Sequence, residues 1–60
     1  MNTVQLVTET GTQLAMRQFH IFSHAERFAQ MALGRVATNG ETVARAIIFW
    51  EDGTYEEYEF

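Results

Sequence analysis

The feature that most constrains the fold is a hairpin signal in the last third of the chain. Asp52-Gly53 separates two runs of alternating residues, 43–51 and 54–60. An Asp-Gly pair in this position is typical of a two-residue β-turn. Such a turn pairs Trp50 with Tyr55 and sets the register of every other pair. The sequence therefore predicts an antiparallel hairpin at the C-terminal end.

That register divides the hairpin residues between two faces, because side chains alternate along a strand. One face is expected to lie under a helix and form the core; it carries Val43, Ile47, Phe49, Tyr58 and Phe60. The other face is expected to point to solvent; it carries Ala44, Ala46, Ile48, Trp50, Tyr55, Glu57 and Glu59.

The N-terminal third predicts a second pair of strands. Residues 3–9 alternate between apolar and polar, residues 10–12 read Thr-Gly-Thr, and residues 13–22 resume a strand pattern. The apolar residues of this longer strand change parity part-way along it. That change indicates either a bulge near Arg17-Gln18 or a twisted strand that is apolar on both faces.

A helix is predicted between the two pairs of strands. Ser23-His24-Ala25-Glu26 matches a capping box, which predicts a helix that begins at His24 with Ser23 as its N-cap. The helix either continues to near Asn39-Gly40, which we favour, or ends at Gly34. In the second case, residues 35–38 form a short strand before a turn at Asn39-Gly40. The apolar stripe at helical spacing consists of Ala25, Phe28, Ala29, Ala32 and Val36, with Leu33 at its edge.

These elements predict one domain over residues 1–60 with an α+β fold, a two-layer ββαββ arrangement in which one helix packs on an antiparallel sheet. A chain of 60 residues buries only about 60% of its unfolded surface, so its stability is expected to be marginal. It has no cysteine to form a disulfide. Either its core is packed efficiently, or a partner stabilises the chain, and the partner that we expect is a second copy in a homodimer.

The charge pattern narrows the classes of partner. The net charge is −4, the only basic residues besides two histidines are four arginines, and five of the eight acidic residues lie in the last ten positions. An acidic chain is a poor match for nucleic acid, so direct nucleic-acid binding is not expected. The N-terminus has no signal-peptide pattern and no apolar run approaches about 20 residues, so we expect a cytoplasmic protein without a membrane segment.

The outer face of the C-terminal hairpin is the predicted partner-binding site, because Trp and Tyr dominate protein-binding hot spots. Carboxylates around aromatics also match an Arg- and Lys-rich groove, so the expected partner is a protein, with a nucleic-acid-handling enzyme as one example. In the simpler interpretation, the aromatic pair only stabilises the hairpin and the acids only protect an edge strand. The predicted anchors are Ile48, Trp50 and Tyr55, and the predicted acidic rim is Glu56, Glu57 and Glu59.

An alternative function is a small nucleic-acid-binding module that uses arginines and exposed aromatics for stacking. The arginines that would serve it are Arg17, Arg27 and Arg35.

No pattern predicts an enzyme, a cofactor or a metal site. The Ser23 hydroxyl is expected to cap the helix, and the start of the helix separates His20 from His24. Two histidines also fall short of the three or four ligands that a metal site uses. The four glycines are isolated, so the chain has no phosphate-binding loop.

In size and charge the whole chain resembles the short, acidic accessory proteins of bacteriophages and mobile elements, including anti-restriction and anti-CRISPR inhibitors. The resemblance implies an inhibitor or modulator of a larger protein. It includes no residue motif, so it assigns no role to any residue.

Overall fold

The computed structural model describes all sixty residues, and its elements follow the order β-β-α-β-β. The four strands form one antiparallel sheet in the order β2-β1-β3-β4, and the helix covers one side of it. The predicted two-layer ββαββ architecture is confirmed. The elements are β1 (Asn2–Thr8), β2 (Arg17–Phe19), α1 (Phe22–Ala32), β3 (Val43–Phe49) and β4 (Tyr55–Glu59).

The core lies between α1 and the two central strands. Val4 of β1 and Ile48 of β3 are its largest fully buried side chains. They meet Ala25 and Ala29 of the helix, which the predicted apolar stripe contains. Alanine side chains allow the helix to approach the sheet closely, and Ala46 of β3 completes the fully buried cluster.

Beyond the last backbone pair of the C-terminal hairpin, Trp50 with Thr54, the loop has three residues, 51–53, instead of the predicted two. The Trp50 amide donates to the Thr54 carbonyl at 2.9 Å, and the Gly53 amide donates to the Trp50 carbonyl at 3.1 Å. Gly53 has a φ of 91°, a conformation that side chains on L-residues disfavour. This is a type I turn closed by a left-handed glycine, the common form of a three-residue hairpin loop. The loops over residues 8–12 and 37–41 repeat the same hydrogen-bond pattern.

The extra loop residue shifts the register of the hairpin by one. Phe49 pairs with Tyr55 and Ile48 pairs with Glu56. A one-residue shift moves every side chain of one strand to the opposite face relative to its partner. The face predicted to be the core was therefore wrong for Ile47 and Phe49, which lie on the side away from the helix.

Two other members of the predicted core, Val43 and Tyr58, do face the helix. Val43 is buried, although its parity differs from that of Ala46, because the β1–β3 register shifts between Val7 and Thr8. Tyr58 packs against the core cluster. Phe60, the fifth predicted core residue, is instead 82% exposed.

The helix begins two residues earlier than predicted. Ile21 is extended and precedes the first helical residue, Phe22, and no side chain caps the helix. The capping-box prediction for Ser23 was therefore wrong. The Phe22 ring stacks on Trp50 with centroids 5.1 Å apart, and this contact explains why the helix includes Phe22. An N-cap contributes only about 1 kcal/mol, so a large aromatic contact outweighs it.

The helix also ends earlier than the form we favoured, and the alternative ending is correct. The last helical residue is Ala32, and Gly34 follows with a φ of 81°. Val36 then pairs with Thr42 across the loop that contains Asn39-Gly40. The Phe60 ring lies so close to Gly34 that any Cβ there would collide with it.

The second strand is shorter than predicted, and an irregularity of the predicted kind lies just before it. The Leu14 amide donates to the Leu6 carbonyl, but Arg17 pairs with Val4. Between these two points, two residues of the segment before β2 therefore lie opposite one residue of β1. The extra residue lies at positions 15–16, just before the predicted bulge. It allows apolar residues of opposite parity, Leu14 and Phe19, to line the same side of the sheet.

Candidate interaction surface

The side of the sheet away from α1 carries an exposed aromatic pair. Phe49 and Tyr55 are cross-strand partners whose ring centroids lie 5.9 Å apart at an interplanar angle of 42°. Tyr55 is 63% exposed, whereas Phe49 and its neighbour Ile47 are half-buried. We call this side of β3 and β4 the open face; it consists of Arg45, Ile47, Phe49, Tyr55, Glu57 and Glu59.

Charged side chains continue the open face from the aromatic pair in the direction away from the hairpin loop. Arg45 Nη1 donates to Glu57 Oε2 at 2.9 Å, and the register places Glu59 directly opposite Arg45. Arg45 therefore faces two carboxylates, and the open face carries one excess negative charge. Both members of the ion pair are partly exposed, so the pair contributes little to folding stability and remains accessible to a partner.

The structure divides the six predicted partner-binding residues between the two sides of the sheet. Tyr55, Glu57 and Glu59 lie on the open face as predicted. The predicted solvent-facing placement of Ile48 and Trp50 was wrong, because Ile48 is fully buried under α1 and Trp50 stacks on the helix through Phe22. Of the predicted rim residues, Glu56 lies on the opposite side of the sheet from Glu57 and Glu59, as the alternation along a strand predicts.

Glu56 instead belongs to a polar cluster on the helix side. The Tyr58 hydroxyl lies 3.0 Å from Glu56 Oε2 and 3.4 Å from Glu26 Oε2. Burial, together with the two carboxylates, raises the pKa of Tyr58 to about 12. The neutral hydroxyl therefore connects the edge strand to the helix over a wide pH range.

Glu41 forms a second polar cluster, which the sequence analysis did not identify. Its carboxylate accepts hydrogen bonds from Thr8 and Thr10, and from Asn39 Nδ2 at 2.7 Å. Hydrogen bonds from Thr10 and Thr12, the strongest contributors, lower the pKa of Glu41. The cluster joins the loop after β1 to the loop before β3, and the threonine-rich run at 8–12 was its only signal in the sequence.

A groove about 730 Å³ in volume, also missed from the sequence, runs beside the helix on the covered side of the sheet. It exists because the helix ends at Ala32 and the following segment turns away. Its lining is apolar apart from Arg27, Arg35 and His24. The sequence signal for this groove was the apolar character of Leu14 and Val36. It was missed because Leu14 was predicted to lie in a strand and Val36 on the helix. We call this the helix-side groove.

The arginines differ in their partners. Arg45 is the only one that forms an ion pair. Arg17 lies over the Phe28 ring at 5.0 Å and over Phe19 at 5.9 Å. Arg27 and Arg35 line the helix-side groove, which has no acidic residue in its lining.

The histidines are not arranged as a pair of ligands, because His24 lies on the helix and lines the groove while His20 precedes the helix. The sixty residues contain no group of three His, Asp or Glu side chains that could hold a metal ion. The single helix, α1, lacks the length and apolar character that crossing a bilayer requires. Comparison of the chain with protein-family models, with characterised proteins and with solved structures finds no match.

Proposed function

We propose that this chain is a non-enzymatic protein-binding module that inhibits or modulates a larger protein through the open face of its sheet. The observation that supports the proposal is the Phe49–Tyr55 pair on the side that no helix covers. Exposed aromatic side chains supply large contact area at low entropic cost, and tyrosine is enriched among binding hot spots.

The charges favour a partner whose surface is apolar at its centre and basic around it. Glu57 and Glu59 follow Tyr55 along β4 on the open face, and Asp52 extends the negative charge to the loop. Arginine or lysine on a partner would pair with these carboxylates and would accelerate association by electrostatic steering. A basic, nucleic-acid-handling protein has such a surface.

The non-enzymatic part of the proposal is supported by the groups whose pKa values are shifted. Hydrogen bonds between two loops lower the pKa of Glu41, and hydrogen bonds within one loop lower the pKa of Asp52. Burial and two carboxylates raise the pKa of Tyr58, whose hydroxyl lies between the edge strand and the helix. None of the three lines the helix-side groove. Each shift thus has a structural cause, and none marks a pair of groups arranged for acid–base chemistry.

The test is affinity capture from cell extract with three immobilised forms of the chain, followed by titration of the purified partner. The forms are the wild type, Tyr55→Ala, and the control Met31→Ala, which removes a side chain of similar exposure from the helix. We expect one protein to be retained by the wild type and the control but not by Tyr55→Ala. In calorimetry, Tyr55→Ala should weaken its binding by about thirtyfold, the effect of a hot-spot residue.

Retention that is unaffected by Tyr55→Ala would contradict the proposal. A filter titration with DNA and RNA at low salt tests the alternative, in which saturable binding would be lost on Arg27→Ala. Sedimentation equilibrium of the same proteins measures the self-association that the marginal stability of a short chain predicts. A dimer that Tyr55→Ala dissociates would assign the open face to a second copy instead of a larger partner.

A further inference from the structure

The helix-side groove is the largest concave surface of the molecule and lies on the opposite side of the sheet from the open face. Leu6 and Val43 form its floor on the sheet, and Phe28 and Met31 line it from the helix. Leu14 also lines the groove, and we refer to Leu6, Leu14 and Val43 together as its floor. A volume of about 730 Å³ falls within the range of sites that bury small ligands, which are lined mainly by apolar side chains with a few polar groups.

The polar groups that line the groove favour a negatively charged ligand. Arg27 and Arg35 both line it, and no carboxylate does. The Nε of Arg35 donates to the Met31 carbonyl at 2.9 Å, which positions the side chain at the end of the helix and leaves its terminal nitrogens as donors. Neither arginine forms an ion pair within the chain. In a chain of net charge −4, this is a local concentration of positive charge without an internal partner.

We propose that the helix-side groove binds a single-chain anionic amphiphile, an unbranched alkyl carboxylate. The alkyl chain would lie on the apolar floor formed by Leu6, Leu14 and Val43. The carboxylate would accept hydrogen bonds from the guanidinium groups of Arg27 or Arg35, whose planar arrangement of donors matches a carboxylate. The occupant combines an apolar body with one negative head, as the lining combines apolar residues with arginines.

The probe series is octanoate, decanoate and dodecanoate, each titrated below its critical micelle concentration into the ¹⁵N-labelled chain. We expect saturable binding at one site, with amide shifts at Leu6, Leu14, Val36 and Ala37. Each methylene buried on the floor should raise the affinity by about fourfold. Decanol and decyltrimethylammonium are the matched neutral and cationic ligands, and both should bind at least about tenfold more weakly than decanoate.

Substitution of both arginines tests the head-group contact. Arg27→Gln with Arg35→Gln should weaken decanoate binding by about tenfold and leave decanol binding unchanged. Arg45→Gln removes one positive charge from the open face and should leave both affinities unchanged. Arg27→Lys with Arg35→Lys keeps the charge but loses the planar donors, so it should bind decanoate more tightly than the glutamine pair and more weakly than the wild type.

Four results would overturn the proposal. The first is no saturable binding of any carboxylate, and the second is equal binding of decanoate and decyltrimethylammonium. The third is a set of amide shifts on the open face around Phe49 and Tyr55. The fourth is binding only to vesicles of phosphatidylglycerol and phosphatidylcholine without binding of the free carboxylates, which would assign the arginines to a membrane surface.

Discussion

Adjacent residues of β3 lie in opposite environments, and the comparison separates what holds this fold together from what it presents to others. Ile48 is fully buried beneath α1, and Ile47 is half-buried on the open face. The Trp50 ring stacks on Phe22 of the helix. The Phe49 ring packs against one other aromatic ring, that of Tyr55 in the neighbouring strand. Glu56 faces the Tyr58 hydroxyl, and Glu57 faces Arg45.

The comparison teaches that similar residues have different roles on the two sides of one hairpin. The helix-facing members join the sheet to the helix, so their loss should affect the whole fold. The members on the open face contact only the hairpin and the central strands, so their loss should leave the helix in place. Three pairs of neighbouring substitutions test this division, and each pair supplies its own control.

The largest difference is expected between Ile48→Ala and Ile47→Ala. Ile48→Ala leaves a cavity between the sheet and the alanine face of the helix, and we expect it to destabilise the fold by about 3 to 4 kcal/mol. Ile47→Ala removes a half-exposed side chain and should cost about 1 to 2 kcal/mol. Urea unfolding followed by circular dichroism measures both values.

Because a chain of this size is only marginally stable, Ile48→Val provides a milder variant with an expected cost of about 1 kcal/mol. Equal costs for the two alanine variants would show that both faces of the sheet are covered in solution.

A smaller difference in energy, but a clear difference in location, is expected between Trp50→Ala and Phe49→Ala. Trp50→Ala removes the stacking partner of Phe22 and should cost about 2 to 3 kcal/mol, with faster hydrogen exchange at the start of α1. Phe49→Ala removes the partner of Tyr55 and should cost about 1 to 2 kcal/mol, with faster exchange confined to β4. Amide exchange followed by NMR makes the measurement. Faster exchange of the helix in Phe49→Ala would contradict the division between the faces.

The smallest effect is expected from Glu56→Gln and Glu57→Gln, which differ in their influence on Tyr58. In a Tyr55→Phe background, the ultraviolet absorbance of tyrosinate reports Tyr58 alone. Glu56→Gln removes a carboxylate that raises this pKa, so the pKa should fall below its value of about 12. Burial, the largest cause of the shift, remains and should keep the pKa above that of free tyrosine. Glu57→Gln should leave it unchanged, and an equal fall in both variants would place both carboxylates on the helix side.

The raised pKa also determines how stability changes at high pH. Between about pH 10 and 12, the unfolded chain releases the Tyr58 proton while the folded chain retains it. The unfolded state then binds fewer protons, so the fold loses stability as the pH rises through this range. The contribution is complete below about pH 10, and Glu56→Gln should make the loss smaller and end it at a lower pH, because only the pKa of the folded state falls.

Much of the architecture could be predicted because its signals are local. Alternation, glycine turns and the alanine stripe identify four strands and one helix, and the irregularity in the second strand follows from its change of parity. The faces of the C-terminal hairpin could not be read this way, because Asp52-Gly53 suits both a two-residue and a three-residue loop. In the structure, hydrogen bonds to Asp52 support the longer loop. The Asp52 carboxylate accepts one from the Thr54 amide at 3.0 Å and one from the Thr54 hydroxyl at 2.7 Å.

The remaining errors come from contacts between distant residues. A local capping box predicted the start of the helix, but the contact between Phe22 and Trp50 moved it. The helix-side groove depends on where three separate segments meet, around Leu14, Met31 and Val36. The placement of the predicted site residues was correct in part, because Tyr55, Glu57 and Glu59 lie on the side away from the helix whereas Ile48 and Trp50 do not.

The three-residue loop after β3 has a consequence for how a gene encoding this chain can change. The deletion of a single codon within residues 51–53 would shorten the loop to two residues and leave Trp50 opposite Thr54, so the pairs between β3 and β4 and both faces of the hairpin would be kept. The deletion of a codon within β4 would instead move every later residue of that strand to the opposite face. The loop therefore tolerates changes of length that the last strand does not.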